Sequence, residues 1–279
     1  MKEALFCEKK ENGITICRLC PHNCRIAKGK RGFCFARRNV DGRLIAESYG
    51  QITSIALDPV EKKPLYRFYP GRMILSVGSY GCNMKCCYCQ NHTISQQVLD
   101  ADFVSPQNLV VMAKNVLRNI GVAFTYNEPL ISLEYILDTA PLLKKQGLKT
   151  VLVTNGMINP EPLKQLLPYL DAVNIDLKTF DAAKYKKLGG NLATVMQTIE
   201  ICAAAKIHVE ITSLIVPGQN DSISDMRAQC QWLAKISPDI PLHITRFSPR
   251  YKMMDSSPTP AKNIKDLASI ARQYLKNVY

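Results

Sequence analysis

The chain has 279 residues, 47% of them hydrophobic, and a formal net charge of +13, which suits one large core or a core with a small appendage. No apolar run approaches the roughly 20 residues that span a bilayer, and the opening Met1-Lys-Glu-Ala-Leu-Phe-Cys lacks the apolar stretch of a signal peptide. These features argue against a membrane segment and predict a cytoplasmic protein. Eleven cysteines cannot serve as disulfides in a reducing compartment, so metal ligation is the default reading of the clustered ones. The two that lie far from the others, Cys202 and Cys230, fall in helix-like patterns and read as small buried hydrophobes.

Residues 1–70 hold many turn formers and few periodic apolar runs. They read as a small cysteine-rich N-terminal segment that a metal would have to stabilise. Cys17, Cys20, Cys24 and Cys34 stand at C-x2-C-x3-C-x9-C, a full set for tetrahedral zinc or for an auxiliary iron–sulfur cluster. Spacing leaves both open, with zinc favoured because the segment lacks a core of its own. His22 is a further candidate ligand that four thiolates make unnecessary. Eleven lysines and arginines against four acids give residues 1–45 about +7, a patch suited to an acidic partner or substrate. Without a basic helix carrying interleaved aromatics, the case for nucleic acid is weak. Residues 65–71 then read as a turn into the main domain.

From there short apolar runs alternate with amphipathic patterns. Strands are predicted at 73–77, 122–125, 150–154, 172–176, 208–215 and 242–245. Helices are predicted at 106–118, 130–145, 160–167, 192–205 and 224–236, with Ser105-Pro106 and Asn159-Pro160 as starts. One more helix-like run, 264–275, lies in a C-terminal extension, 251–279. Repeated strand-then-helix order predicts an α/β fold with a parallel sheet, and six strands are too few for a closed eight-stranded barrel. A partial (β/α)6 TIM-type barrel over residues 71–250 is expected, with its site at the C-terminal strand ends.

The unusual polar residues gather at those ends. Gly81-Cys-Asn-Met-Lys-Cys-Cys-Tyr-Cys-Gln90 places Cys82, Cys86 and Cys89 at C-x3-C-x2-C directly after the first strand. Three thiolates on a four-iron cube leave one iron open to a second molecule; alone, the spacing fits a zinc knuckle or buried free thiols equally well. Cys87 lies between ligands and reads as a non-ligand. Tyr126, Asn127 and Glu128 follow the second strand, Asn155 the third, Asp176 and Lys178 the fourth, residues 216–221 the fifth, and Arg246 the sixth.

With Tyr88 as the aromatic of C-x3-C-x-aromatic-C after a first strand, the chain resembles the radical S-adenosylmethionine (SAM) superfamily. Its nearest likeness there is to the pyruvate-formate-lyase-activase-like branch, and more narrowly to the AmmeMemoRadiSam system radical SAM protein. The likeness is carried by Cys17 to Cys34, Gly81 to Ser95, Phe124-Thr-Tyr-Asn-Glu-Pro129 and His243-Ile-Thr-Arg-Phe-Ser-Pro249. It implies an oxidoreductase whose [4Fe-4S] cluster, on Cys82, Cys86 and Cys89, cleaves SAM reductively. The resulting 5′-deoxyadenosyl radical would abstract hydrogen from a protein or small-molecule substrate. It assigns Glu128, with the backbone of Tyr126 and Asn127, to the SAM ammonium, and Lys178 of Asp176-Leu-Lys178 to its carboxylate. Asn155 falls at a family position near SAM, and His243 is expected to reach SAM or substrate. Val153 stands where activases often carry an acid, which argues against a monovalent cation site. The likeness further implies reduced flavodoxin or ferredoxin as electron donor, and a protein substrate or AmmeMemoRadiSam-system partners. The competing reading is a non-catalytic zinc or iron–sulfur module that binds nucleic acid.

Overall fold

The computed structural model describes all 279 residues. Its N-terminal part is built from small antiparallel pieces. Strands β1 (Cys7–Lys9), β2 (Thr15–Cys17) and β3 (Arg25–Ile26) form one sheet, and β4 (Arg37–Val40) with β5 (Arg43–Ala46) forms a hairpin. Strand β6 (Gln51–Ile52) pairs with β9 (Asp102–Phe103). The main sheet runs β14-β13-β12-β11-β10-β8-β7 and curls into a half-barrel. Its members are β7 (Ser54–Pro59), β8 (Met73–Gly78), β10 (Asn119–Phe124), β11 (Lys149–Thr154), β12 (Ala172–Asp176), β13 (His208–Ile215) and β14 (Leu242–Arg246). The last six are the predicted parallel strands, in sequence order.

The seventh is an addition: β7, which sequence grouped with the N-terminal segment, pairs antiparallel with β8 and forms one edge. Its outward Ile55 and Leu57 stay 44% and 40% exposed, so no buried apolar run announces it.

Helices α1 (His92–Ser95), α2 (Pro106–Asn115), α3 (Leu133–Lys145), α4 (Pro160–Leu166), α5 (Ala182–Lys187), α6 (Leu192–Ala204), α7 (Ile223–Ile236) and α8 (Ala261–Ala271) complete the chain. None is long and apolar enough to cross a membrane. Helix α2 begins as predicted, with Ser105 capping Asn108 N–H. At α4 the expected cap side chain is diverted: Asn159 Nδ2 donates to Arg18 O and ties the N-terminal segment to the barrel. The six-residue α5, capped by Asp181, was not predicted because it is short and lysine-rich.

Strand alternation sends Leu75, Val77, Val122, Phe124, Leu152, Val173, Ile211 and Leu242 into the large core shared with the helices, where Cys202 and Cys230 are also buried. The opposite face turns Ile74, Ala123, Val151 and Ala172 onto Val60, Leu65 and Phe68. Residues 65–71 are therefore more than a turn: the connector plugs the inner face of the half-barrel.

Glu210 anchors that plug. It accepts from Tyr66 N at 3.0 Å and Arg67 N at 2.8 Å, and lies 2.8 Å from His208 Nε2 and 2.6 Å from His243 Nε2. Burial alone would raise its pKa, but the bonds from His208, His243 and the two backbone N–H groups prevail and bring it to about 2. An acid whose folded pKa lies below its unfolded value of about 4.5 stabilises above pH 4.5, and that contribution is lost as pH falls towards 2. Chemical denaturation of Glu210→Gln is thus expected to show about 2 kcal/mol less destabilisation at pH 3 than at pH 6. An equal cost at both pH values would contradict the ionised anchor.

Candidate active site

The loop after β8 is pinned from outside itself. Asn127 accepts from Ser79 N through Oδ1 and donates through Nδ2 to Tyr80 O and Gly81 O, all within 3.1 Å. Asn91 Nδ2 donates to Tyr126 O, Gly81 N to Ile94 O, and Lys85 N to Leu188 O. Gly81 has φ +85°, and a Cβ there would stand 2.3 Å from Cys34 O, so glycine is required.

On this loop Cys82, Cys86 and Cys89 are close enough to influence one another's thiols. Burial first, then Glu128 and the neighbouring Cys86, push Cys82 well above the ordinary thiol value. Burial likewise brings Cys86 to about 11, against the lowering effect of Lys178. Donors nevertheless point at the sulfurs. Met84 N and Asn155 Nδ2 reach Cys82 Sγ at 3.3 and 3.6 Å. Ser95 Oγ, which accepts from Gln96 Nε2, lies 3.1 Å from Cys89 Sγ, and its hydroxyl becomes the donor once that sulfur is a thiolate. Buried thiols are costly to ionise alone, yet this donor set suits thiolates, and a metal centre supplies the condition under which all three are ionised. The residues fit an iron–sulfur cluster.

Around the loop, Lys178 Nζ lies 3.1 Å from Asp176 Oδ2. Burial opposes its charge, but Asp176 and Cys86 override this and raise its pKa well above the ordinary lysine value, so it stays an ammonium. Glu128 is buried; Oε1 accepts from Leu130 N at 3.0 Å and Thr154 Oγ1 at 2.6 Å, while Oε2 accepts from Asn155 N at 2.8 Å. It therefore ties the end of β10 to that of β11, and Oε2 retains one lone pair. Burial, the largest influence, raises its pKa to about 7 despite those donors. Tyr88 is packed in the core edge-on to Phe247, 6.5 Å between centroids. Tyr126 has φ +69° and donates from its hydroxyl to Asp58 Oδ2 at 2.7 Å, an oxygen that also accepts from the buried Lys63.

One predicted member lies elsewhere. His243 is engaged by Glu210 and stacks on Tyr279 at 5.3 Å, with Tyr66 edge-on at 4.7 Å. Its strand position faces the connector, where it helps to hold the plug.

Ser95, Lys85 and a C-terminal strap were not foreseen. Lys252 N donates to Cys87 O at 3.0 Å, Tyr251 stacks on His92 at 4.6 Å, and Met253 Sδ lies 3.4 Å from Cys87 Sγ. The partners are more than 150 residues apart, and no local pattern signals them.

Cys17, Cys20, Cys24 and Cys34 line one small cavity with Leu19, Ile26 and Arg37. Burial brings Cys20 to about 12 and Cys34 to about 11, so these thiols too need a bound cation to ionise. His22 also lines the cavity, with Nε2 2.8 Å from Asn83 O. Eight of the eleven cations in residues 1–45 are ion-paired, leaving Arg25, Lys30 and Arg43. Of their partners only Glu47, Asp138 and Glu134 lie beyond residue 45, so these three acids bring the segment's charge from about +7 to about +4.

A half-barrel whose first parallel strand runs into a three-thiol loop, with a lysine and carboxylates at the following strand ends, defines an enzyme built around a cofactor at its C-terminal mouth. The sequence pattern of the Radical SAM superfamily matches residues 76–229, and the chain belongs to that superfamily; it is a radical SAM enzyme. It is 40% identical over 286 aligned residues to an uncharacterized protein of Methanocaldococcus jannaschii, covering 100% of this chain and 84% of that one. A protein of the same organism provisionally named a glycyl-radical enzyme activating enzyme is 26% identical, with 75% of this chain and 89% of that one covered. The benzylsuccinate synthase activating enzyme of Thauera aromatica is 27% identical over 65% of this chain and 57% of its own length. A radical SAM methyltransferase from Sphaerobacter thermophilus shares the fold at TM-score 0.60 and 13% identity, over 76% of this chain and 67% of that one.

Proposed function

We propose that the enzyme holds a [4Fe-4S] cluster on Cys82, Cys86 and Cys89, uses it to cleave SAM reductively, and acts as an activating enzyme on a protein partner. The reading is carried by three thiols on the one loop that follows the first parallel strand, with hydrogen-bond groups at two of their sulfurs and the Lys178 ammonium close enough to act on Cys86. When bound, the cluster and SAM supply a 5′-deoxyadenosyl radical for hydrogen abstraction. The chain's residues would bind and orient: Cys82, Cys86 and Cys89 would hold the cluster as thiolates and leave room beside it for the methionyl amine and carboxylate of SAM. The free lone pair of Glu128 Oε2, with the backbone of Tyr126 and Asn127, serves the ammonium. Lys178, held by Asp176, is the cation for the carboxylate, and Asn155 and Ser95 tune the sulfurs.

The protein substrate rests on the relatives named activating enzymes. Cys17, Cys20, Cys24 and Cys34 hold a second metal, zinc or an auxiliary cluster; their shared apolar cavity supports this. Eleven unpaired thiols support a reducing, cytoplasmic setting, with reduced flavodoxin or ferredoxin as donor. The narrower likeness makes AmmeMemoRadiSam-system proteins candidate partners.

Anaerobic reconstitution followed by dithionite and SAM is expected to yield 5′-deoxyadenosine, and an intact cluster that yields none overturns the reading. A glycyl-radical EPR doublet on a partner would support the activating role; a modified small product without one would redirect it to a metabolite.

A further inference from the structure

The two cysteine sites touch. Gly81, next to Cys82, abuts the Cys34 carbonyl, and His22, between Cys20 and Cys24, meets Asn83 O. Lys85 stands at this junction. Its Nζ lies 4.8 Å from the ring centre of Phe33 and 4.1 Å from that of Phe35, the residues on either side of Cys34. The nitrogen is buried and has no hydrogen-bond partner.

A desolvated ammonium without an acceptor is costly, and two ring faces offset only part of that cost. Lys85 adjoins Cys86 in the chain and its two rings flank Cys34, so cysteines of both sites border it; burial lowers its pKa, and Cys82, Cys34, Cys89 and Cys86 oppose that when they are thiolates. Metal binding makes them so.

We propose that Lys85 is a positioning residue whose ammonium is the shared counter-charge for metal-bound thiolates at both cysteine sites. This rests on the reading that Cys82, Cys86 and Cys89 hold a cluster. A fixed cation beside a cluster favours its more negative, reduced form and so raises its reduction potential.

The test uses the full chain, reconstituted anaerobically, with EPR-monitored redox titration and elemental analysis. Lys85→Met keeps an apolar stem between the rings and removes the charge. Its cluster midpoint is expected to be more negative than wild type at equal iron content, and Lys85→Arg to return it towards wild type. The N-terminal metal, zinc or iron as the analysis finds, is expected to leave faster to a chelator from Lys85→Met than from Lys85→Arg. No change in either measurement at full iron content overturns the shared role and leaves the cluster reading standing. A wild-type chain that holds no cluster overturns that reading instead. Should Lys85→Met fail to hold iron, retention by Lys85→Arg supports the charge, and loss from both overturns the proposal.

Discussion

Replacing Cys82, Cys86 and Cys89 together by alanine is expected to remove roughly four irons per chain, abolish 5′-deoxyadenosine formation, and leave the N-terminal metal in place. The loop should survive the change, because its pins are backbone and amide groups: Asn127 on Ser79, Tyr80 and Gly81, Asn91 on Tyr126, and Lys85 N on Leu188 O. None of these bonds needs a sulfur. The N-terminal thiols line their own cavity, so a metal there is expected to stay when the other three are lost. Anaerobic iron, sulfide and zinc analysis of both proteins checks the result. Iron retained at the wild-type level would remove the three cysteines as ligands, whereas loss of both metals together would show that the two sites assemble as one. Because SAM cleavage requires the cluster, the expected activity is the no-enzyme background rather than a partial decrease.

Glu134→Ala is expected to destabilise the metal-loaded protein by about 3–5 kcal/mol, the largest single-residue effect outside the cysteine sites. Arg37 and Glu134 are 1% and 0% exposed at their side chains. Arg37 Nη2 donates to both carboxylate oxygens, at 2.6 and 2.8 Å, and Nη1 to Leu5 O at 2.9 Å. Leu5 N donates to Glu134 Oε1 at 2.7 Å. The pair therefore joins the N-terminal segment to α3, and truncating the acid strands a desolvated guanidinium beside Cys17. The denaturant midpoint should fall with an unchanged slope. Arg37→Met combined with Glu134→Leu removes both charges, and should cost less than Glu134→Ala. A loss below about 1 kcal/mol for Glu134→Ala would place the pair in solvent-screened territory.

The barrel was legible because parallel strands buried on both faces read as short apolar runs, each separated by one helical pattern. All six such runs are strands, and the helices between them lie within a few residues of the expected bounds. Strand β7 escaped notice because its Ser-Ile-Ala-Leu-Asp-Pro ends in proline, leaves two apolar side chains exposed and sits among turn formers. The plug escaped for a different reason. Val60, Leu65 and Phe68 follow no period, and they become a core only when the curled sheet presents Ile74, Ala123, Val151 and Ala172 to them. The surroundings of His243 were hidden for the same cause: its place on a strand was visible, but not that it would meet Glu210 of β13.

By itself the amino-acid order determined the architecture and set three thiols on the loop after its first parallel strand. Three thiols at those intervals fit a zinc knuckle or free thiols equally well when taken alone, and it is the repeated strand-then-helix order that puts them at the mouth of a parallel sheet. Periodicity and spacing are local quantities, set by backbone geometry over a few residues. Tertiary structure alone decided which charges meet. Arg37 with Glu134, Glu210 with His243, Cys87 with Met253, and Lys85 between Phe33 and Phe35 are encounters across tens to more than a hundred residues. Nothing in the local pattern names a partner at such range. The partner is chosen when burial withdraws water and a polar group must find its complement inside the fold.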